Sequence, residues 1–136
     1  MNAREEGDCL QFDFGKLARI AGDCPQVAPV VVQDADTGQV ILLAYTNEQA
    51  FRQALRERKL VLWSTSRNEL WEKGKTSGET FELVEARVNC EQNSLLYRVR
   101  RRQGGICHTK NSRGEPRDCF YRRIHPETMA LENTDP

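Results

Sequence analysis

Three of the five cysteines and one of the two histidines lie in the stretch of residues 89–121. Cys90, Cys107 and Cys119 are separated by seventeen and twelve positions, and His108 directly follows the second of them. Thiolate sulfur is a strong, soft ligand for zinc, so these side chains could form a metal site if folding brings them together. The spacing is not that of a zinc finger. The alternative is that the cysteines are small buried hydrophobic residues, as free cysteines commonly are.

A polar segment at about residues 64–78 combines hydroxyl groups, cationic side chains and glycines. These groups suit phosphate oxygens, because guanidinium binds them bidentately and glycine lets backbone amides approach. The Gly-x-x-x-x-Gly-Lys order of a P-loop is absent, so an anion site and a plain polar loop stay open as alternatives. The hydroxyl and cationic positions are Ser64, Thr65, Ser66, Arg67, Lys73, Lys75, Thr76 and Ser77.

Composition narrows the classes of protein to consider. The chain has 136 residues, enough for one domain with its own core, and its 20 basic and 20 acidic residues cancel. A net charge of zero argues against a general nucleic-acid or membrane-surface binder. We find no leader-like segment or apolar run of about 20 residues, so we expect a cytoplasmic protein with reduced thiols. A hydrophobic content of 38% suggests that burial is completed by oligomerisation.

The hydrophobic pattern predicts an α+β fold of mainly antiparallel strands with one firm helix. Thr46 is predicted to cap that helix in a capping box with Gln49. Asp34 and Asp36 lie between the first two strands, where we expect them to bond the turn backbone rather than a metal. The predicted apolar stripe of the helix is Ala50, Phe51, Ala54 and Leu55. The predicted strands cover residues 27–33, 39–45, 60–64, 80–89, 94–102 and 120–124.

This pattern divides the chain into three parts. Residues 1–26 form an N-terminal segment that is loose at its start, residues 27–124 form the domain, and residues 125–136 form a C-terminal tail. Residues 110–117 are predicted to be a surface loop, because they are polar and contain glycine and proline.

Several motifs, taken in their order along the chain, resemble one family. Residues 31–38, 42–47, 63–67, 70–78, 107–109 and 119–121 together resemble the phosphoribosyl-AMP cyclohydrolases of histidine biosynthesis, over about residues 27–121. The agreement of several separate motifs makes the resemblance more specific than any one of them.

The resemblance implies an obligate homodimer with active sites at the subunit interface. It implies a zinc ion held by Cys90 of one subunit and by Cys107 and Cys119 of the other. The implied reaction is hydrolytic opening of the N1–C6 bond in the adenine ring of N1-(5-phosphoribosyl)-AMP, with His108 as general acid or base. The positions that match the family's substrate-binding residues are Trp63, Ser64, Ser66, Arg67, Lys73, Lys75, Thr76 and Ser77.

The sequence departs from the family pattern at three places. Asn89, Glu91 and Asn93 stand where the family has aspartates that bind magnesium. The charge of these ligands falls from three negatives to one, so we expect a weak or absent magnesium site. Glu79 replaces a histidine, and the segment between Cys107 and Cys119 is longer. A sister hydrolase for another cyclic amidine or purine-like nucleotide, or a zinc-stabilised dimer without activity, therefore remain alternatives.

Overall fold

The computed structural model describes residues 2–24, 26–73, 80–101 and 109–136. Three helices and eight strands lie within these ranges. The helices are α1 (Ala3–Glu6), α2 (Lys16–Asp23) and α3 (Glu48–Glu57). The strands are β1 (Ala28–Asp34), β2 (Val40–Thr46), β3 (Val61–Ser64), β4 (Glu69–Glu72), β5 (Phe81–Val88), β6 (Leu95–Arg101), β7 (Arg122–Ile124) and β8 (Leu131–Asn133).

The main sheet has four strands in the order β2, β1, β6, β5. The β1–β2 and β5–β6 pairs are antiparallel, and the two central strands β1 and β6 are parallel. Two further antiparallel hairpins, β3–β4 and β7–β8, complete the described strands. The prediction of an α+β fold with mainly antiparallel strands is therefore confirmed.

The core lies between this sheet and α3. Strands alternate inward and outward residues, and Val30, Val32, Tyr97 and Val99 supply the buried positions of the two central strands. On α3, Ala50 and Ala54 are fully buried, whereas Leu55 is 41% exposed. The small alanine side chains form the buried part of the helix surface. The prediction that Leu55 belongs to the apolar stripe is wrong.

The start of α3 also differs from the prediction. Asn47 caps the helix, and its Oδ1 accepts a hydrogen bond from the Ala50 N–H at 2.9 Å. Thr46 is instead the buried last residue of β2, and its hydroxyl donates to the Asn47 carbonyl at 3.2 Å. The predicted capping box at Thr46 is wrong because Thr46 belongs to β2 and pairs with Ala28 of β1.

The β1–β2 connection agrees with the sequence. Oδ1 of Asp34 accepts hydrogen bonds from the backbone N–H groups of Asp36 and Thr37, at 2.8 and 3.1 Å. Gly38 follows with a φ of 81°, a conformation that suits glycine. The interpretation of Asp34 as a turn residue is confirmed. Asp36 differs from the prediction, because its carboxylate oxygens both accept from Nε of Arg100 at 3.4 Å.

Part of the predicted irregular segment is a strand. β4 pairs with β3, with Trp71 opposite Leu62 and Leu70 opposite Trp63. Leu70 and Trp71 both pack against the core. Because the surrounding charged residues and glycines obscured this short apolar pair, the prediction of a loop is wrong for Glu69–Glu72.

The terminal segments are also more ordered than predicted. Strand β8 pairs with β7, and the Leu131 N–H donates to the Asp8 carbonyl at 2.8 Å. In the predicted surface loop, Asn111 and Arg117 are buried at 8% and 3% exposure. A hydrogen bond from Arg117 holds the pKa of the Glu6 carboxyl below its usual value of 4.5, so this carboxylate is ionised at neutral pH. The predictions of a loose start and a tail without strands are wrong, whereas the prediction of a surface loop holds for Lys110 and residues 112–115, which are exposed.

The helices in the described part of the chain are short, and α3 is the longest at ten residues. No helix there is long and apolar enough to cross a membrane.

The buried phenol of Tyr97 makes the free energy of unfolding depend on pH in the alkaline range. Burial raises the pKa of its phenol from 10.0 to about 12; the nearby Thr46 hydroxyl opposes this shift, although the pair does not meet hydrogen-bond geometry. The native state therefore keeps its proton where the unfolded chain releases it. The contribution of Tyr97 to the free energy of unfolding is fully present below pH 10 and is lost as the pH rises from 10 to about 12.

Tyr97→Phe should remove this dependence. We expect the urea midpoint of the wild type to fall more steeply between pH 10 and pH 12 than that of the variant, with equal slopes between pH 7 and pH 9. Parallel slopes across the alkaline range would show that Tyr97 does not titrate on unfolding.

Candidate metal and substrate site

Cys90 lies in the turn that joins β5 to β6, and its side chain is exposed. The preceding residue holds this turn together. Oδ1 of Asn89 accepts hydrogen bonds from the backbone N–H groups of Asn93 and Ser94, both at 2.9 Å. The cysteine is therefore presented to solvent from a turn whose backbone is closed by an asparagine side chain.

The positions that resemble a magnesium site bond to one another. Nδ2 of Asn89 donates to Oδ1 of Asn93 at 2.7 Å, and Nδ2 of Asn93 donates to Oε2 of Glu91 at 3.3 Å. Both amide oxygens already accept N–H groups, and one carboxylate remains. Magnesium prefers carboxylates and gives up its water reluctantly, so these residues do not fit a magnesium site.

Cys119 adjoins the opposite edge of the main sheet. Its N–H donates to the carbonyl of Ile41 in β2 at 2.9 Å, and its partly buried side chain packs against the core. Strand β2 is one edge of the main sheet, and β5, which leads into Cys90, is the other. Cys119 therefore adjoins one edge strand of the main sheet, and Cys90 follows the other.

A zinc ion shared by Cys90 and Cys119 would require a close approach of the two thiols. Zinc–sulfur bonds of about 2.3 Å bring two sulfur ligands to within about 4 Å of each other. In residues 2–24, 26–73, 80–101 and 109–136, no three His, Cys, Asp or Glu side chains are grouped so as to hold a metal. Cys90 and Cys119 fit zinc by the chemistry of their thiols.

Several predicted site residues lie outside the described ranges. They are the metal ligand Cys107, the acid or base His108, and the substrate positions Lys75, Thr76 and Ser77.

Three predicted substrate residues meet at the tip of the β3–β4 hairpin. Ser64 ends β3, and its hydroxyl oxygen lies 3.3 Å from that of Ser66. The same Ser64 oxygen accepts the backbone N–H of Arg67 at 3.3 Å. The Arg67 side chain is 65% exposed and pairs with Glu69 at 3.5 Å. Two hydroxyls and one guanidinium thus share a single turn, which suits an anionic group.

Trp63 lies in the first strand of this hairpin, and Lys73 directly follows the second. The indole Nε1 of Trp63 donates to Oδ1 of Asn68 at 3.0 Å, across the turn. Asn68 has a φ of 50°, in the left-handed region that asparagine tolerates well. Lys73 follows β4, and its N–H donates to the Leu60 carbonyl at 3.0 Å. The structure therefore brings together Trp63, Ser64, Ser66 and Arg67 on one element, with Lys73 at its base.

The sequence did not indicate that α2 supports this turn. Cys24 is buried at 2% exposure, and its Sγ donates to the carbonyl of Thr65 at 3.4 Å. No local pattern pairs Cys24 with a turn 41 residues away.

A second feature that the sequence did not reveal is an ion-pair triad. Arg101, the last residue of β6, lies 3.2 Å from Oδ2 of Asp34 and 2.6 Å from Oδ1 of Asp118. Asp118 immediately precedes Cys119. The side chains are only 12–27% exposed, so charge pairing here is weakly screened. Arg101 therefore ties the Cys119 segment to the end of β6 and to the β1–β2 turn.

The chain is similar in sequence to known proteins of one family. The phosphoribosyl-AMP cyclohydrolase family matches the chain over residues 42–121. A phosphoribosyl-AMP cyclohydrolase of Hyphomonas neptunium is 45% identical over 74% of this chain and 72% of that protein. One of Haloarcula marismortui is 41% identical over 86% of this chain and 92% of that protein. A histidine biosynthesis bifunctional protein of Thermus thermophilus is 45% identical over 79% of the chain and 48% of its own length. The chain therefore belongs to the phosphoribosyl-AMP cyclohydrolase family.

Proposed function

We propose that this protein hydrolyses the N1–C6 bond in the adenine ring of N1-(5-phosphoribosyl)-AMP, as a step of histidine biosynthesis. The observation that carries the proposal is the family match over residues 42–121, together with relatives of that name at 41–45% identity. The thiols at the two edges of the sheet and the hydroxyl-rich hairpin tip support it independently.

The chemistry follows from the substrate. Ribosylation at N1 makes the ring amidine cationic, so C6 becomes electrophilic. Water adds to C6, its protons are transferred, and the C6–N1 bond breaks as N1 keeps the bonding electrons. The product is the formamidine of an imidazole-carboxamide ribotide. A bound zinc ion would supply a nucleophile near neutral pH by lowering the pKa of water.

The protein side chains have distinct roles in this proposal. Cys90 of one subunit and Cys107 and Cys119 of the other would hold the zinc. His108 would accept a proton from the attacking water and return one to the departing nitrogen. The substrate carries two phosphate groups, and Ser64, Ser66 and Arg67 would bind one of them at the hairpin tip. Lys73, Lys75, Thr76 and Ser77 would add further contacts, and Trp63 would support the hairpin.

A homodimer is part of the proposal because Cys90 and Cys119 lie at opposite edges of the main sheet within one chain. Each zinc would therefore need sulfur from both subunits. No step is assigned to magnesium. The side chains of Asn89, Glu91 and Asn93 satisfy one another, so we propose that the enzyme works without a second metal.

The direct test is the rise in ultraviolet absorbance as N1-(5-phosphoribosyl)-AMP opens. We expect the zinc-loaded protein to turn over with magnesium present and after selective magnesium chelation. No turnover in either condition would overturn the proposed function. Turnover only with magnesium would overturn the independence from the second metal and leave the reaction in place.

A related hydrolase for another cyclic amidine or purine-like nucleotide is the second candidate. The self-bonded turn at Asn89–Asn93 favours it, since a family position for a metal has become a structural turn. A panel of N-heterocyclic nucleotides separates the two. Hydrolysis of another ring, with N1-(5-phosphoribosyl)-AMP left intact, would select the second candidate.

A subunit-mixing experiment tests the shared metal site. Cys90→Ser and Cys119→Ser homodimers should each be inactive and bind zinc poorly. Unfolding and refolding an equal mixture should restore about a quarter of the wild-type sites, because half of the dimers are mixed and each has one intact site. Co-folded wild type and Cys90→Ser provides the reference for refolding yield. A mixture as inactive as its parents would place all three cysteines of a site on one chain.

The turn also predicts how magnesium affects stability. In Asn89→Asp/Asn93→Asp, carboxylates replace amides, so repulsion should weaken the turn and magnesium should relieve it. We expect the Tm of the variant to rise by a few degrees with millimolar magnesium, and that of the wild type to stay constant at matched ionic strength. An equal rise in the Tm of the wild type would contradict the proposal that the turn is closed by its own hydrogen bonds and binds no magnesium.

A further inference from the structure

Arg117 is the most deeply buried described cationic side chain near Cys119, at 3% exposure. Its Nη1 and Nη2 donate to the two carboxylate oxygens of Glu6, at 2.5 and 3.4 Å. Its Nε donates to the carbonyl of Asp135 at 2.8 Å, and its guanidinium lies 4.6 Å from the centre of the Tyr121 ring. One side chain therefore contacts both terminal segments at once.

Neighbouring residues reinforce the same junction. The Tyr121 hydroxyl donates to the Glu5 carbonyl at 2.7 Å, and the Arg122 guanidinium donates to the Gly7 carbonyl at 3.2 Å. From the other terminus, the N–H and hydroxyl of Thr134 both donate to the Tyr121 carbonyl at 2.8 Å. We call Glu5, Glu6, Arg117, Tyr121, Thr134 and Asp135 the terminal clasp.

The clasp acts on the segment that leads to Cys119. The Arg117 N–H donates to the Thr109 carbonyl at 3.1 Å, which closes residues 109–117 into a loop with its ends together. Two residues later, the Cys119 N–H reaches β2 through Ile41. Both the backbone and the side chain of Arg117 therefore fix the conformation of the chain two residues before Cys119, a candidate metal ligand.

Much of the clasp lies outside the part of the chain that the family matches. The match covers residues 42–121, which includes Arg117 and Tyr121 but neither Glu6 nor Asp135. A buried guanidinium needs its partners, because an unpaired charge in this environment is strongly unfavourable. The two ends of this chain therefore supply what the buried Arg117 requires.

We propose that Arg117 and Glu6 are positioning residues for the metal: the terminal clasp holds the Cys119 segment in the conformation that retains zinc. This inference rests on the proposed function, because it needs a zinc ion at Cys119. The clasp residues do not bind the ion. They restrict the backbone on which one of its ligands is carried, as outer partners of metal ligands do elsewhere.

The test is the rate at which zinc-loaded protein releases zinc to a chromogenic chelator, measured where circular dichroism shows full folding. Glu6→Gln removes the charge that pairs with Arg117 and keeps the size of the side chain. We expect release to become about tenfold faster. Replacing zinc with cobalt should also show a weakened or shifted thiolate-to-metal charge-transfer band in the variant.

Glu132→Gln is the matched control. It makes the same charge change in the same region but removes an exposed ion pair to Arg123, whose side chains are 64% and 69% exposed. We expect wild-type zinc release. A lowered Tm for Glu6→Gln, with zinc release and the cobalt spectrum unchanged, would reduce the clasp to a purely structural role and overturn the proposal.

Tyr121→Phe keeps the test decisive if Glu6→Gln does not fold. It removes only the hydroxyl that donates to Glu5, so we expect a folded protein with a smaller acceleration of zinc release. Wild-type release in this folded variant would then overturn the proposal. The measurement uses no nucleotide, so its failure is distinct from a failure to hydrolyse N1-(5-phosphoribosyl)-AMP, which would instead concern the proposed reaction.

Discussion

The parallel pairing of β1 with β6 is the contact on which the rest of the structure depends. It joins two antiparallel hairpins that are distant in sequence, with Val30 opposite Leu95 and Asp34 opposite Val99. Because these strands are central, β2 and β5 become the two edges of the sheet. This order places Cys90 and Cys119 at opposite edges of the main sheet.

Charged residues organise the regions around this sheet where apolar contacts end. Arg101 joins Asp34 and Asp118, and Arg117 joins Glu6 to the opposite terminus. Buried ion pairs add little net stability compared with apolar packing, but losing one partner is costly. Such pairs therefore suit places where position matters more than total stability, such as the residues next to Cys119.

The turn at Asn89–Asn93 is closed by amide side chains rather than by carboxylates. Three carboxylates close together repel one another unless a cation is bound. Amides provide donors as well as acceptors, so Asn89 and Asn93 can close the same turn by hydrogen bonds. The turn still presents the exposed side chain of Cys90.

The sequence by itself determined the fold class, the β1–β2 and β5–β6 hairpins, the turn role of Asp34 and the family, because these rest on local periodicity, turn chemistry and short motifs. It could not determine the N-cap of α3, where strand pairing competes for Thr46. It also missed β4, β8, the Cys24–Thr65 contact and the partners of Arg117 and Arg101. Only the tertiary structure decided these, because each depends on residues far apart in the chain that no local pattern connects. The separation of Cys90 and Cys119 belongs to the same class, since the order of strands in a sheet is a non-local property.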